Sequence, residues 1–364
     1  MQDLHSKGFK TEMYGMPVHT SRFEPEYDYF IAECINRPTI IWEARMPVTD
    51  EAYVLEPCCG HTAIADFHAY NLDKLYREVP ELDGCYFDIM HCHHCENPHH
   101  GCSGVDAFGK KYSVSGALNL RAYSLRVVKI HQKYNRVFGV HAHNAYYPFV
   151  HDLGDFWMPG EELFSAIAAN PEWGYMEAVS PEAYQSAWNR EIRGMDISSK
   201  LQFTRIPRCI PVTPDQKKKL ESDEYCIHGL APSMLYNYRR HSFGADKPDC
   251  LLFKLWKIRK QVKIQDSVFH GYWIDPVTLE SAPPIRVSWY SWSGNAPYSR
   301  MLCIVNTSRK AVRTGLKFDW EKIGIAAPST MTDLWTGKPF TFEELENYQL
   351  NGHNFMLMVP AASE

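Results

Sequence analysis

No stretch of this 364-residue chain approaches the roughly 20 consecutive apolar residues that a helix needs to cross a bilayer, so no membrane span is expected. The N-terminal MQDLHSKGFKTEMYG lacks the basic region, apolar run and small-residue cleavage site of a secretory signal, and export is not legible in it. Charge of one sign is also missing: 38 basic residues face 43 acidic ones, for a formal charge of -5 without a long run of either, which argues against a nucleic-acid partner and against a disordered tail. Internal repeats and low-complexity segments are absent.

What is present suits a folded chain with a large core. Hydrophobic residues make up 45%, and the length predicts two domains, or one large domain with an appendage. Aromatic residues reach 13%, with 10 Trp and 21 Tyr, a supply of rings that serves a core or a flat sugar ligand equally well. The 11 cysteines are odd in number, so they cannot all pair within one chain.

Over the first three quarters, short apolar runs ending in polar residues alternate with helical patterns, the signature of βα units around a parallel sheet or barrel. Strands are predicted at 9–15, 84–90, 136–143, 154–161 and 201–207, and helices at 25–37, 63–79, 117–134 and 250–264. In the helix 117–134 the spacing predicts a buried face of Leu118, Ala122, Leu125, Val128 and Ile130, with Arg121, Lys129 and Lys133 outward. From about residue 283 the period falls to two, with Gly, Asn, Ser and Pro between runs, which predicts an antiparallel β-sandwich. The expected fold class is therefore α/β: a (β/α)8 TIM-type barrel over 1–280, followed by the sandwich over 281–364. Five or six good parallel strands fall short of eight, so either some strands are poorly patterned or the first ones are lacking.

In such a barrel, chemistry sits at the C-terminal strand ends. Asp88 ends GCYF, and Glu161 follows GDFWMPG; two carboxyl groups facing one pocket are the minimal apparatus for breaking a glycosidic bond. A strand-end carboxylate also serves as an N-cap or an ion-pair partner. His141 and His143 in GVHAHNAYYP lie two apart on a strand and project to one side, suited to holding sugar hydroxyls or a metal, with His151 and Asp152 available to complete a ligand set. The segment DIMHCHHCENPHHGC (88–102) holds five histidines and three cysteines. Its C-x2-C is half of a zinc site, which Cys92, Cys95, Cys102 and His99 would fill; a Cys95–Cys102 disulfide is the alternative staple, and the second C-x2-C of a full knuckle is missing.

The order GCYFDIM, CENPHHGC, a helix carrying Arg121 and Arg126, GVHAHNAYYP and GDFWMPGEELF resembles a bacterial family of glycoside-hydrolase-like barrels often grouped with glycoside hydrolase family 123. TDLWTGKPF looks like the Asp-x-Trp-Thr-Gly turn of C-terminal sandwiches in many barrel glycosidases. Members of that family usually carry an N-terminal β-sandwich and the first barrel strands before this region, so the chain resembles their C-terminal portion or a shortened relative. That likeness implies a secreted or periplasmic setting for a fragment. The adjacent Asp-Glu pair of family 123 at a strand end is missing, so its substrate-assisted mechanism and its N-acetylgalactosamine specificity are not carried over.

The resemblance implies Asp88 and Glu161 as the catalytic pair. The leading expectation is a hydrolase of a complex glycan with no catalytic cofactor: Asp88 as nucleophile or base, Glu161 as general acid, and His141, His143, Asn144, Tyr146, Trp157 and Glu162 against the sugar. Tyr147 and Phe156 add wall surface. The rivals are a metal-dependent hydrolase built on His141 and His143, and a carbohydrate-binding barrel without catalysis. A structural zinc in the cysteine loop is compatible with any of the three, as are the disulfide and loose thiols.

Overall fold

The computed structural model describes residues 1–17, 20–21, 42–46, 49–55, 62–88, 90, 92, 94–141, 146–160, 170, 175–188, 196–201, 213–242, 251–294 and 296–360. Two compact units divide the chain, Met1–Pro159 and Gly160–Glu364. The helix expected at 25–37 lies outside the described residues.

The first unit is built on four parallel strands: β1 (Glu12–Gly15), β2 (Gly84–Phe87), β3 (Val137–Val140) and β4 (Phe156–Trp157). Tyr14 pairs with Tyr86, Tyr86 with Gly139 and Gly139 with Phe156, so one transverse row crosses the whole sheet. Helices α1 (Thr62–Glu78) and α2 (Ala117–Tyr134) pack on one face. There His131 of α2 meets the rings of Phe87 and Phe138, and Tyr76 of α1 donates from its hydroxyl to Cys85 Sγ at 3.1 Å. The opposite face carries Tyr14, Tyr86 and Phe156, in line with the period-two rule for strands. Gly139 belongs to that row because a Cβ there would lie 2.1 Å from the ring of Phe156.

The buried face of α2 differs from expectation. Leu118 is 80% exposed, and the core residues are Leu120, Tyr123, Ser124, Val127 and His131. Two large rings, Tyr123 and His131, turn the helix away from its aliphatic stripe, since burying an aromatic body outweighs exposing one leucine. Between β2 and α2 the chain forms a small antiparallel piece in which Lys111–Ser115 pairs with both His94–Cys95 and Ser103–Val105.

The second unit contains a parallel pair, β5 (Asp196–Leu201) and β6 (Arg239–Ser242), and an antiparallel sheet. That sheet runs β7 (Val268–His270), β8 (Ile285–Ser291), β9 (Arg300–Asn306), β10 (Thr330–Asp333), β11 (Pro339–Thr341) and β12 (Phe355–Pro360), in spatial order β7-β8-β9-β12-β10-β11. In this sheet the first antiparallel pair joins Val268–His270 to β8. The central strands are buried on both faces. On one side Val287, Trp289, Leu302, Ile304, Met356 and Met358 share a core with a second layer, two short ladders at Thr278–Glu280/Lys317–Phe318 and Val312–Arg313/Gln349–Leu350. On the other, helix α3 (Asp223–Leu235) accepts from the sheet: Tyr290 donates to the Met234 carbonyl at 2.7 Å and Ser288 to that of Leu235 at 2.8 Å.

The described fold is mixed α/β. Among the described residues no closed eight-stranded circuit is present, and no helix is long and apolar enough to cross a membrane.

The TDLWTG turn shows how the β-rich region is held. Asp333 is 1% exposed; its Oδ1 accepts from the backbone N–H of Leu357 (2.9 Å) and Trp335 (3.1 Å), and its Oδ2 from the Thr336 hydroxyl (2.6 Å). Removing the carboxylate strands buried amides at a cost of about 1–3 kcal/mol each. Asp333→Ala is expected to lower unfolding free energy by about 2–4 kcal/mol in urea titration.

Candidate active site

Parallel register brings the central residues together. Phe87 ends β2 opposite Val140, which ends β3, so the next residues, Asp88 and His141, emerge side by side. Their backbones continue the ladder: the Asp88 N–H donates to the Gly15 carbonyl at 2.8 Å, and the His141 N–H to that of Phe87 at 2.9 Å. Both side chains turn to the face that bears Tyr14 and Tyr86. Asp88 Oδ2 accepts from the Tyr14 hydroxyl at 2.5 Å, and Oδ1 accepts from His141 Nδ1 in a very close contact. A carboxylate can only accept, so the Nδ1 proton of His141 is committed to Asp88. His141 is fully buried, Asp88 is 9% exposed and Tyr14 is 56% exposed.

A second set of contacts fixes the loops after the strands. The Met90 N–H donates to the His141 carbonyl at 2.7 Å, while the Met90 carbonyl accepts from His151 Nε2 at 2.7 Å. His151 sits in the turn Pro148–His151, and its Nδ1 accepts from the Tyr147 N–H at 2.9 Å. Both nitrogens of His151 are therefore hydrogen-bonded, and its neighbour Asp152 is exposed. Burial lowers the His151 pKa to about 4, the Met90 carbonyl acting in the opposite sense and His141 adding to the depression.

The expected sugar-facing rings divide into two kinds. Trp157 is 3% exposed, with Tyr146 at 4.5 Å between ring centres and His151 stacked at 6.5 Å with an interplanar angle of 7°. It supports the site from within and offers no open face. Tyr146, Tyr147 and Phe156 are half-buried and retain accessible surface.

His143, Asn144, Glu161 and Glu162 lie outside the described residues. In the cysteine loop, Cys95 and Cys102 pack against each other as buried thiols, Cys92 is half-buried and His99 is exposed. Asn97 caps the 3-10 turn Pro98–His100 by accepting from the His99 N–H at 2.9 Å, which fixes the backbone while the His99 ring points to solvent. Burial pushes the Cys92 thiol up, with a hydrogen bond to Ser115 pulling it down. Among the described residues no group of three or more His, Cys, Asp or Glu is placed to hold a metal.

Tyr14 is the site residue that sequence reasoning passed over. It lies 74 residues from Asp88. Its available signal is positional: in a strand ending at Gly15, the preceding side chain lies on the opposite face from the glycine position.

The His151 ring makes stability sensitive to acid. Between pH 6.5 and about 4 the unfolded chain binds a proton there that the folded chain refuses. Stability that is complete above pH 6.5 is thus lost as pH falls toward 4, by about 3 kcal/mol in all. His151→Gln, whose amide can keep both hydrogen bonds, is expected to shrink the loss in urea unfolding between pH 7 and 4 by about 2–3 kcal/mol.

No family model matches the sequence, and no curated protein sequence matches it. Solved structures do resemble the fold. An α-amylase from Lactobacillus plantarum is similar over 99% of this chain and 80% of its own, at 11% identity and a TM-score of 0.56. An α-amylase from Malbranchea cinnamomea matches 99% of this chain and 76% of its own, at 10% identity and a TM-score of 0.50. A family 36 α-galactosidase from Geobacillus stearothermophilus in complex with 1-deoxygalactonojirimycin covers 99% of this chain, at 10% identity and a TM-score of 0.50. The chain spans 46% of the length of that α-galactosidase. At these identities the likeness is one of fold: this chain folds like glycoside hydrolases.

Proposed function

We propose that the protein is a glycoside hydrolase of a complex glycan, with Asp88 as nucleophile or base. The observation that carries this reading is the carboxylate at the end of β2, oriented on both oxygens by donors from β1 and from the end of β3, on the sheet face opposite α1 and α2. In a (β/α) barrel that face is the interior, and the strand ends line the pocket. The fold shared with α-amylases and an α-galactosidase supports the same reading.

In this mechanism Tyr14 and His141 hold Asp88 in one rotamer, so that little reorganisation is needed when the anomeric carbon gains positive character. Glu161, four residues beyond Trp157 in the chain, supplies the proton to the leaving oxygen. Asp88 then either attacks the anomeric carbon directly or takes a proton from attacking water, the two cases differing by the spacing of the carboxyl groups. Tyr146 and Phe156 offer accessible ring surface for a sugar. A second reading, sugar binding without turnover, draws on the small exposed fraction of Asp88, 9%.

Reducing-end release from a panel of plant, host and bacterial glycans tests the proposal. Asp88→Asn and Glu161→Gln are each expected to cut kcat/KM at least about 1000-fold with the circular dichroism spectrum unchanged. Tyr14→Phe, which removes one hydrogen bond to a charged group, is expected to cost about 10- to 100-fold, mostly in kcat. Full activity in Asp88→Asn would sink the assignment. Saturable glycan binding by calorimetry with no release from any glycan would favour the second reading.

A further inference from the structure

The sheet of the first unit has a second concavity, on the face opposite Asp88. It lies between α1 and the ends of β1 and β2 and has a volume of about 480 Å³. Helix–sheet interfaces are normally close-packed, and a pocket of this size falls in the range that holds small organic molecules. Its existence has a local cause. Period-two alternation turns position 15 toward the helices, and that position is a glycine; a Cβ there would already lie 3.1 Å from the Phe87 ring. The missing side chain leaves open the space between the strand and α1.

The lining is apolar, with Met13, Met16, Leu72, Leu75 and Phe87 prominent, and it includes no charged side chain. A charged ligand would lose its hydration there without compensation. Two titratable side chains line the pocket, His68 of α1 and Tyr123 of α2, whose rings meet edge-on at 5.8 Å. Burial lowers the His68 pKa to about 4, so the ring is neutral near pH 7. Its Nδ1 is buried and has no hydrogen-bond partner among the described residues. A neutral imidazole carries one N–H donor and one acceptor nitrogen. The pocket thus presents the neutral His68 ring beside Tyr123 in an otherwise apolar, uncharged wall, with Asn71 exposed at its edge.

We infer that this pocket binds an uncharged, largely apolar ring compound bearing one carbonyl-type acceptor, which the N–H of the neutral His68 ring meets. The inference stands apart from the proposed hydrolase activity, because its residues lie on the helix-covered face and none of them contacts Asp88 through its side chain in the geometry above.

Prodan, a neutral naphthalene ketone whose emission reports both polarity and hydrogen bonding at the carbonyl, is a suitable probe. Titration of the full chain is expected to give saturable one-site binding with blue-shifted emission. Leu75→Trp fills the pocket and is expected to weaken binding at least about 10-fold. Asn71→Trp places a ring at the mouth from an exposed position and is expected to weaken it similarly, providing a variant that leaves the core intact. His68→Phe keeps the apolar wall; affinity is expected to fall about 5- to 10-fold, with the bound emission moving further to the blue as the carbonyl loses its donor. No saturable binding, or binding unchanged in both tryptophan variants, overturns the site. Unchanged affinity and emission in His68→Phe overturns the role of His68 in recognising the acceptor.

Discussion

The in-register pairing of β2 with β3 is the constraint on which the candidate site depends. Because Phe87 lies opposite Val140, the chain delivers Asp88 and His141 at the same height, and their side chains must share one face. A slip of β2 by one residue would send Asp88 toward the helices while His141 stayed on the face of Tyr86. Burial of the apolar layer around Phe138 therefore holds the polar pair in place: the apolar contacts that forbid the slip also position Asp88 for contact with His141.

Polar groups near this pair are arranged so that few hydrogen bonds are left to solvent. Tyr14 and His141 take the two oxygens of Asp88, and His151 spans the Met90 carbonyl and the Tyr147 amide. All but the local bond between Tyr147 and His151 join elements distant in sequence, and a low local dielectric strengthens them together. The same low dielectric keeps His151 neutral. Rigid strand ends and a neutral histidine brace thus arise from one cause, the exclusion of water from the region behind Trp157.

How much of this was legible in the sequence depends on whether the signal was local. Asp88 stood out because an apolar run ends abruptly in an acid, and β2, β3, α1 and α2 were recognisable from period alone. Tyr14 was not, since its role comes from pairing across 74 residues. The buried face of α2 was misread because Tyr123 and His131, counted as polar or amphipathic, displaced the aliphatic stripe. Helix α3 left no amphipathic trace, being apolar nearly all round and buried from Tyr225 through Leu235 at most positions, with Pro232 inside it. In the antiparallel sheet, strict alternation gave way in β9, where six successive residues are buried, because both of its faces are covered.

The row containing Gly139 has a consequence for how the chain finds its structure. The ring of Phe156 occupies the volume where residue 139 would carry a side chain. Shifting β4 by one position would drive that ring against Phe138 or Val140, which have no such vacancy. The glycine therefore acts as a keyhole for β4: a strand of only two residues, too short to select its own alignment by hydrogen bonds, is admitted in one alignment and sterically refused in its neighbours. Proofreading of this kind needs no added binding energy, since it raises the free energy of the wrong pairings while leaving the right one unchanged.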